Sequence, residues 1–309
     1  SGVCPSPASA TAPPRFSPET VVTVLGLTLA GLLQVASVHL QPGVARPGDA
    51  VLVTVLGVTK APSGTLGPQT LDFLPIAEGF QALVALSVEA SIGSRELSVD
   101  LIPEGGSETT ITGTLEVEEP GWPKRELKVA KKFTNPSKAE QLRSARDQKA
   151  FEDAFDVDLE PWLFGNDFTW PRPPEITAPF GDLRLMNGKK KSQHFGTDLD
   201  GNTGDPITAA NAGEVVMVRD CFGSGNTVLI HHGGRLFTAY FHLSKFEVKE
   251  GDLVKAGQLL GKVGKTGRVT GPHLHFGVKL DGRWVDPQSL LDLKFFERGA
   301  ALPAPKTPG

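Results

Sequence analysis

The feature that most constrains this chain is a short run near its end, His273-Leu-His-Phe-Gly-Val278. Its period of two is that of a β-strand. A strand sends His273 and His275 to one face, and Leu274 and Phe276 to the other, into a core. Two imidazoles are thereby presented side by side on a rigid element. A second strand-like run, Thr238-Ala-Tyr-Phe-His242, puts His242 on the same face as Tyr240 by the same alternation. Six of the seven histidines fall between positions 194 and 275, so the chemistry of the chain is concentrated there.

The 309 residues suffice for two domains of ordinary size, each with its own core. Gly (35) and Pro (25) are abundant, which suits short strands and turns better than helical bundles. Lys and Arg number 31 against 35 Asp and Glu, a net charge of −4. That balance argues against nucleic acid as a partner, because phosphate binding needs a basic surface. Cys4 and Cys221 fit no metal-ligand spacing. Cys221 is read as a buried thiol, with a Cys4–Cys221 bridge as the alternative.

Residues 1–38 read as a disordered Pro-, Ser- and Ala-rich leader followed by an export signal or membrane anchor. The run from Val21 to Val38 carries no charge, Arg15 lies just ahead of it, and Val35-Ala-Ser37 has the small residues of a cleavage site. Cleavage near Ser37 is the first reading, an uncleaved anchor at 21–38 the second, and a buried strand pair the third. The first two place the functional part outside the cytoplasm, in the periplasm or cell envelope, or secreted.

Residues 39–133 read as a β-sandwich-like domain. Strand-like runs recur about every dozen residues with Gly and Pro between them, and alternation is clear in Glu96–Ile102 and Thr109–Val117. Nothing in this stretch clusters into a chemical site, and a spacing, docking or wall-binding role is assigned. Residues 134–176 form a connecting segment. Ser137-Lys-Ala-Glu140 has the form of a capping box, and a helix to about Phe155 follows, with Leu142, Ala145, Phe151, Ala154 and Phe155 as its expected buried face. Trp162, Phe164, Phe168 and Trp170 then lie among prolines. They are expected to pack the helix against the next domain, with a substrate-groove wall as the alternative. Residues 177–293 hold the chemistry, and 294–309 read as a disordered tail.

A catalytic zinc takes three ligands from His, Asp or Glu and leaves one position for water. His194 and Asp198 are four apart, but Gly196, Gly201 and the scarcity of helix formers indicate a strand running into a loop. No Glu lies beside a candidate ligand as in His-Glu-x-x-His, so a general base has to come from elsewhere, and the remaining histidines are the candidates. His231 and His232, ahead of Gly233-Gly234, read as structural. Asp200 and Asp205 read as turn residues. Arg184 and Asn187 are candidates for the cleft lining.

Three motifs in order, His194-x-Gly-x-Asp198, Tyr240-x-His242-Leu and Thr270-Gly-Pro-His273-Leu-His275-Phe, resemble the LytM/lysostaphin-type zinc metallopeptidases of family M23. The connecting text is similar too, in Gly204-Asp-Pro-Ile-Thr-Ala209, Gly225-Asn-Thr-Val-Leu-Ile-His231 and Val285-Asp-Pro287. The resemblance covers roughly residues 176–293. It implies an antiparallel β-sheet peptidase domain, so that the fold class is mainly β with a connecting helix. It implies Zn²⁺ held by His194, Asp198 and His275, with His242 and His273 as non-ligand catalytic histidines. It further implies an endopeptidase cleaving amide bonds in the peptide stems or cross-links of bacterial peptidoglycan. The alternative within the same resemblance is a LytM-like regulatory or binding module that activates another wall hydrolase; such members lose ligands, and none is missing here. Some members carry an extra tyrosine ahead of the first ligand. Tyr240 is the only tyrosine in this chain, so that role is vacant or filled by another group.

Overall fold

The structure, a computed structural model, describes residues 20–27, 33–58, 60–103, 107–157, 161–188 and 190–295. Strands dominate, and most neighbouring strands run antiparallel. The expected leader at 1–19 and the tail beyond 295 lie outside the described residues.

The first half is built from two five-stranded sheets. Gly93–Leu101 and Thr109–Val117 form an antiparallel pair. Their alternation delivers Leu97, Val99, Leu101, Ile111, Leu115 and Val117 to the interior. The facing sheet contributes Val38, Leu40, Val51, Val53, Val55, Ala82 and Val84 to the same cluster. Ala50–Leu56 departs from alternation because both of its faces are covered. Val51, Val53 and Val55 enter the sandwich core, whereas Ala50 and Leu52 enter a second core shared with the C-terminal half. Main-chain contacts join the halves as well: Asp286 N–H donates to Gly48 O at 2.7 Å, and Ala50 N–H to Ser289 Oγ at 2.8 Å.

The stretch read as an export signal or anchor is built into that sandwich. Thr20–Leu27 and Leu33–Gln41 form an antiparallel hairpin, and the second strand pairs in turn with Ala50–Leu56. Ala36, Val38 and Leu40 are buried in the core. A cut near Ser37 would split a strand that carries core residues. An uncharged apolar run of this length suits paired strands as well as a membrane-directed helix. Among the described residues, no helix is long and apolar enough to cross a membrane.

The connecting helix spans Lys138–Phe155, and Ser137 and Glu140 close a reciprocal capping box. Its inward face is the expected one in its second half, where Phe151, Ala154 and Phe155 pack against the sheet, but not in its first, where Leu142 and Ala145 are exposed. Leu142 is 58% exposed, and the buried residue is Asp147, which accepts from Arg219 Nε at 3.0 Å and from Phe222 N–H at 2.7 Å. Phe151 and Phe155 do pack inward, edge-on to Phe241 and Phe237. Trp162, Phe164 and Phe168 are buried as packing residues, not as a groove wall. Phe295 joins them, 5.2 Å from Phe164 and 5.7 Å from Trp162, so the folded chain continues past the expected tail boundary at 294.

The second half centres on an eight-stranded antiparallel sheet. Thr197–Asp200, His273–Leu280, Leu236–Leu243, Gly225–His231 and Gly213–Cys221 are neighbours in that order. Beside it, Lys124–Leu127, Leu183–Met186 and Lys190–Gln193 form a small separate sheet, the first pair parallel and the second antiparallel. The first of these strands precedes the connecting helix, so a residue stretch from before the helix ends up next to the second half.

Candidate metal centre and its cleft

The strand pairing places the candidate residues together. Asp198 stands directly opposite His275, so both side chains leave the sheet on one face at neighbouring positions. His194 sits where the small sheet ends and the large one begins, with Gly196 as the joint. A Cβ at Gly196 would lie 2.5 Å from His275 Nε2 and 2.7 Å from Phe276 O, so only glycine lets the chain pass this close. His194 Nε2, Asp198 Oδ1 and His275 Nδ1 then converge. They are separated by 3.0 Å (His194–Asp198), 2.8 Å (His194–His275) and 2.7 Å (Asp198–His275).

The chemistry of this donor set fits a cation. His194 Nδ1 is 2.8 Å from the carbonyl of Pro179, which can only accept, so Nδ1 carries the proton and Nε2 presents a lone pair. That lone pair faces a carboxylate oxygen and a second imidazole nitrogen. Three such electron-rich atoms lie this close only with a proton or a positive ion among them. Two imidazole nitrogens and one carboxylate oxygen are also what a three-ligand metal site uses. Burial alone would raise the Asp198 pKa, but the adjoining His194 and His275 rings outweigh it and hold the carboxyl well below its usual range. Burial pushes His275 down to about 4 against the pull of Asp198. His194 and Asp198 are buried, and His275 is nearly so.

The remaining oxygen of Asp198 is also held. Arg184 Nη2 donates to Asp198 Oδ2 at 2.9 Å. Arg184, a candidate for the cleft lining, therefore lies in the site. Asn187 does not contribute to the contacts there; it bonds Val129 N–H and O and Thr134 Oγ1 in the turn. Phe241 stacks on His275, with centroids 5.1 Å apart and planes inclined by 23°. Neither Phe241 nor Asp182, which touches Arg184, was singled out from the sequence. An apolar residue between two functional positions and an acid ahead of a strand carry no local signature.

His242 and His273 face each other beside the three ligand candidates, with ring centroids 5.0 Å apart. His242 does not share a face with Tyr240, contrary to the alternation. Its backbone is left-handed, φ +67°, and this turns the imidazole into the cleft. Tyr240 stays in the core, fully buried, with its hydroxyl accepting from Ala210 N–H at 2.9 Å. His242 Nδ1 is 2.9 Å from Thr266 O and His273 Nδ1 is 3.0 Å from Gly271 O. Both carbonyls are acceptors, so each imidazole presents Nε2 as a lone pair. Burial pushes the His242 pKa down to about 3, and His275 and His273 push the same way, so the ring is neutral near pH 7.

His231 and His232 lie elsewhere. His231 stacks on Phe237 with centroids 4.7 Å apart, and His232 is fully buried, between Ala212 O at 2.6 Å and Thr238 Oγ1 at 2.8 Å. Cys221 is a buried free thiol, and Cys4 lies outside the described residues. The five site residues open onto a cleft of about 760 Å³. Its walls include Arg184 and Arg268, and Phe151, Phe155, Lys279 and Trp284 from the helix and the sheet. Arg268 has no acidic partner among the described residues, and burial together with the Arg184 charge lowers its pKa.

Comparisons with known proteins agree with this geometry. Peptidase family M23 matches residues 192–287. The peptidoglycan DD-endopeptidase ShyA of Vibrio cholerae is 46% identical over 112 residues, covering 36% of this chain and 26% of that protein. The DD-carboxypeptidase/endopeptidase Mpg of Neisseria meningitidis is 32% identical over 160 residues, covering 52% of this chain and 33% of that protein. This chain thus spans about a quarter to a third of the length of these curated relatives. A Pseudomonas aeruginosa structure described as a peptidase M23 superposes with a TM-score of 0.56 at 27% identity, covering 80% of this chain and 94% of that one. The stretch that holds His194, Asp198 and His275 is thus a peptidase M23 domain.

Proposed function

We propose that this protein is a zinc-dependent endopeptidase that hydrolyses amide bonds in the peptide stems or cross-links of bacterial peptidoglycan. The observation that carries the reading is the meeting of His194, Asp198 and His275 within 3.0 Å of one another, with two further imidazoles beside them in one cleft. The naming of ShyA and Mpg as peptidoglycan peptidases supports the substrate.

His194 Nε2, Asp198 Oδ1 and His275 Nδ1 would hold the ion. Zinc supplies Lewis acidity there, which makes water nucleophilic at neutral pH and polarises the scissile carbonyl. The protein's own groups do the rest. A lone pair on His242 or His273 accepts the proton of the attacking water, and the imidazolium so formed donates towards the developing oxyanion or the leaving amine. The bonds from Nδ1 to Thr266 O and Gly271 O leave Nε2 of each ring facing the cleft. Arg184 and the Pro179 carbonyl fix the orientation of Asp198 and His194, so little reorganisation remains for the reaction itself.

Peptidoglycan lies outside the cytoplasm, so this reading puts the protein in the periplasm or cell envelope. That location rests on the substrate and no longer on residues 21–38.

The test is direct. The full chain is purified with zinc, its metal content is measured, and defined cross-linked muropeptides are digested and analysed by mass spectrometry. About one zinc per chain and cleavage of a peptide bond are expected, both lost in His194→Ala. A folded, zinc-loaded protein that leaves every muropeptide intact rejects the hydrolase and favours the regulatory module.

A further inference from the structure

A line of alternating charges leads away from the candidate metal centre to a strand outside the family-matched stretch. We infer that Arg125, on the strand Lys124–Leu127 ahead of the connecting helix, is a positioning residue of the metal centre, acting on Asp198 through Asp182 and Arg184. The inference rests on the metal-binding part of the proposed function.

The register makes it physical. Lys124–Leu127 runs parallel to Leu183–Met186, with Arg125 opposite Arg184. Arg125 Nε lies 3.2 Å from Asp182 Oδ2, and Arg184 Nε lies 3.4 Å from the same oxygen. Arg184 then reaches Asp198 Oδ2 at 2.9 Å. A second path runs through the main chain: Arg125 Nη1 donates to Thr177 O at 3.0 Å, and Thr177 Oγ1 donates to Asp198 O at 3.2 Å. Asp182 also meets the other ligand, because its carbonyl accepts from His194 N–H at 2.9 Å.

Asp182 is the sensitive point. Its side chain is fully buried, and Oδ1 has no hydrogen-bond partner among the described residues. A buried carboxylate needs compensating charge. With Arg125 gone, only Arg184 remains to neutralise it, and the tighter Arg184–Asp182 pairing that follows draws the guanidinium away from Asp198. The metal-binding carboxylate then loses its anchor. A strand from outside the peptidase core thereby sets how well the core holds its ion, and any movement of that strand would be felt at the metal.

The experiment uses the full chain with two readouts other than turnover. Zinc affinity is measured by competition with a chromophoric chelator, and the cobalt-substituted protein is examined by its visible absorption, which reports ligand geometry. Arg125→Gln is expected to bind zinc about 10- to 100-fold more weakly, the usual effect of losing a group that orients a ligand, and to shift the cobalt bands while circular dichroism stays native. Arg125→Lys keeps the charge and loses the fork that reaches both Asp182 and Thr177, so it recovers only part of the affinity. In Asp182→Asn, where the buried charge is already absent, adding Arg125→Gln should weaken zinc binding less than it does in the unaltered protein, leaving only the path through Thr177. Zinc affinity and cobalt spectra indistinguishable from the unaltered protein in Arg125→Gln overturn the inference, as does full additivity with Asp182→Asn. If Arg125→Gln does not fold, unchanged affinity in Arg125→Lys overturns it instead. An unaltered protein that binds no zinc at all overturns the proposed function as well, so the two failures are distinct.

Discussion

The rings of His242 and His273 lie 5.0 Å apart and are inclined by 62°, each with Nδ1 committed to a backbone carbonyl. Two bases thus aim the same atom, Nε2, into one cleft without contacting the ligand set as donors. His242→Ala and His273→Ala are each expected to lower kcat by about 10²- to 10⁴-fold, the range for lost proton transfer, while zinc content stays at its unaltered level. The double variant should fall far short of the product of the two, because residues acting on one transition state are not additive. Loss of zinc in either single variant would make that residue a ligand and contradict the assignment.

His242 occupies left-handed backbone space at φ +67°, which costs an L-residue about 1–2 kcal/mol relative to right-handed conformations. The orientation of a functional side chain is a common reason for such strain. His242→Gly should therefore be more stable than His242→Ala by about 1 kcal/mol, although both are inactive. Equal unfolding midpoints in urea for the two variants would show that no strain is stored there.

Gly196 passes under His275 so closely that a Cβ would lie 2.5 Å from Nε2. Relief requires the imidazole to shift, since Phe276 O blocks the other direction at 2.7 Å. Gly196→Ala should reduce zinc affinity by at least about tenfold, as expected when a ligand loses its orientation. The check is equilibrium dialysis against buffered zinc, with circular dichroism to verify the fold; affinity equal to the unaltered protein would mean that the strand gives way instead.

Much of this site is readable from the sequence because period-two spacing survives in the fold. His273 and His275 share a face, and Asp198 pairs opposite His275, as strand geometry requires. The face of His242 was not readable, since one left-handed residue inverts the alternation and neither Gly nor Asn marks it. Asp182 and Arg125 were invisible for a different reason. A parallel pairing brings Lys124–Leu127 beside Leu183–Met186 across an entire helix, and no local pattern encodes that. The stretch at 21–38 shows the limit of hydropathy, because strands paired in a sheet and a membrane segment can share one composition. On the connecting helix the cap was legible from Ser137 and Glu140, and so were Phe151, Ala154 and Phe155 of the inward face, but not Asp147. Asp147 is turned inward by Arg219 and the Phe222 amide, partners that only the tertiary fold supplies.

His232 ties stability to pH. Burial, opposed by its bond to Ala212 and reinforced by His231, pushes its pKa from 6.5 to about 3. The unfolded chain takes up a proton below about pH 6.5 that the native state refuses. This contribution to stability is therefore complete above 6.5 and is lost as pH falls from there towards 3, at about 1.4 kcal/mol per pH unit. Urea titrations of the metal-free chain between pH 7 and 5 should show that slope reduced by about one proton in His232→Asn. An unchanged slope would mean that His232 is protonated in the native state.

Phe155 is one of the apolar anchors that hold the connecting helix to the peptidase sheet. Its ring meets Phe237 edge-on at 4.9 Å and Trp284 at 6.0 Å, and Lys279 Nζ lies 3.9 Å from its centroid. Phe151, Ala150 and Ala154 complete the helix's apolar contact with the sheet, while Leu142 is turned to solvent. Removal of a large aromatic ring from such a cluster costs about 3 kcal/mol or somewhat less where the ring is partly exposed. Phe155→Ala should release the helix before the sheet unfolds, which limited proteolysis would detect as early cleavage between residues 138 and 155. The same helix lines the cleft, so its release should change KM for a long muropeptide more than for a short one. Equal effects on both substrates would separate helix docking from substrate binding.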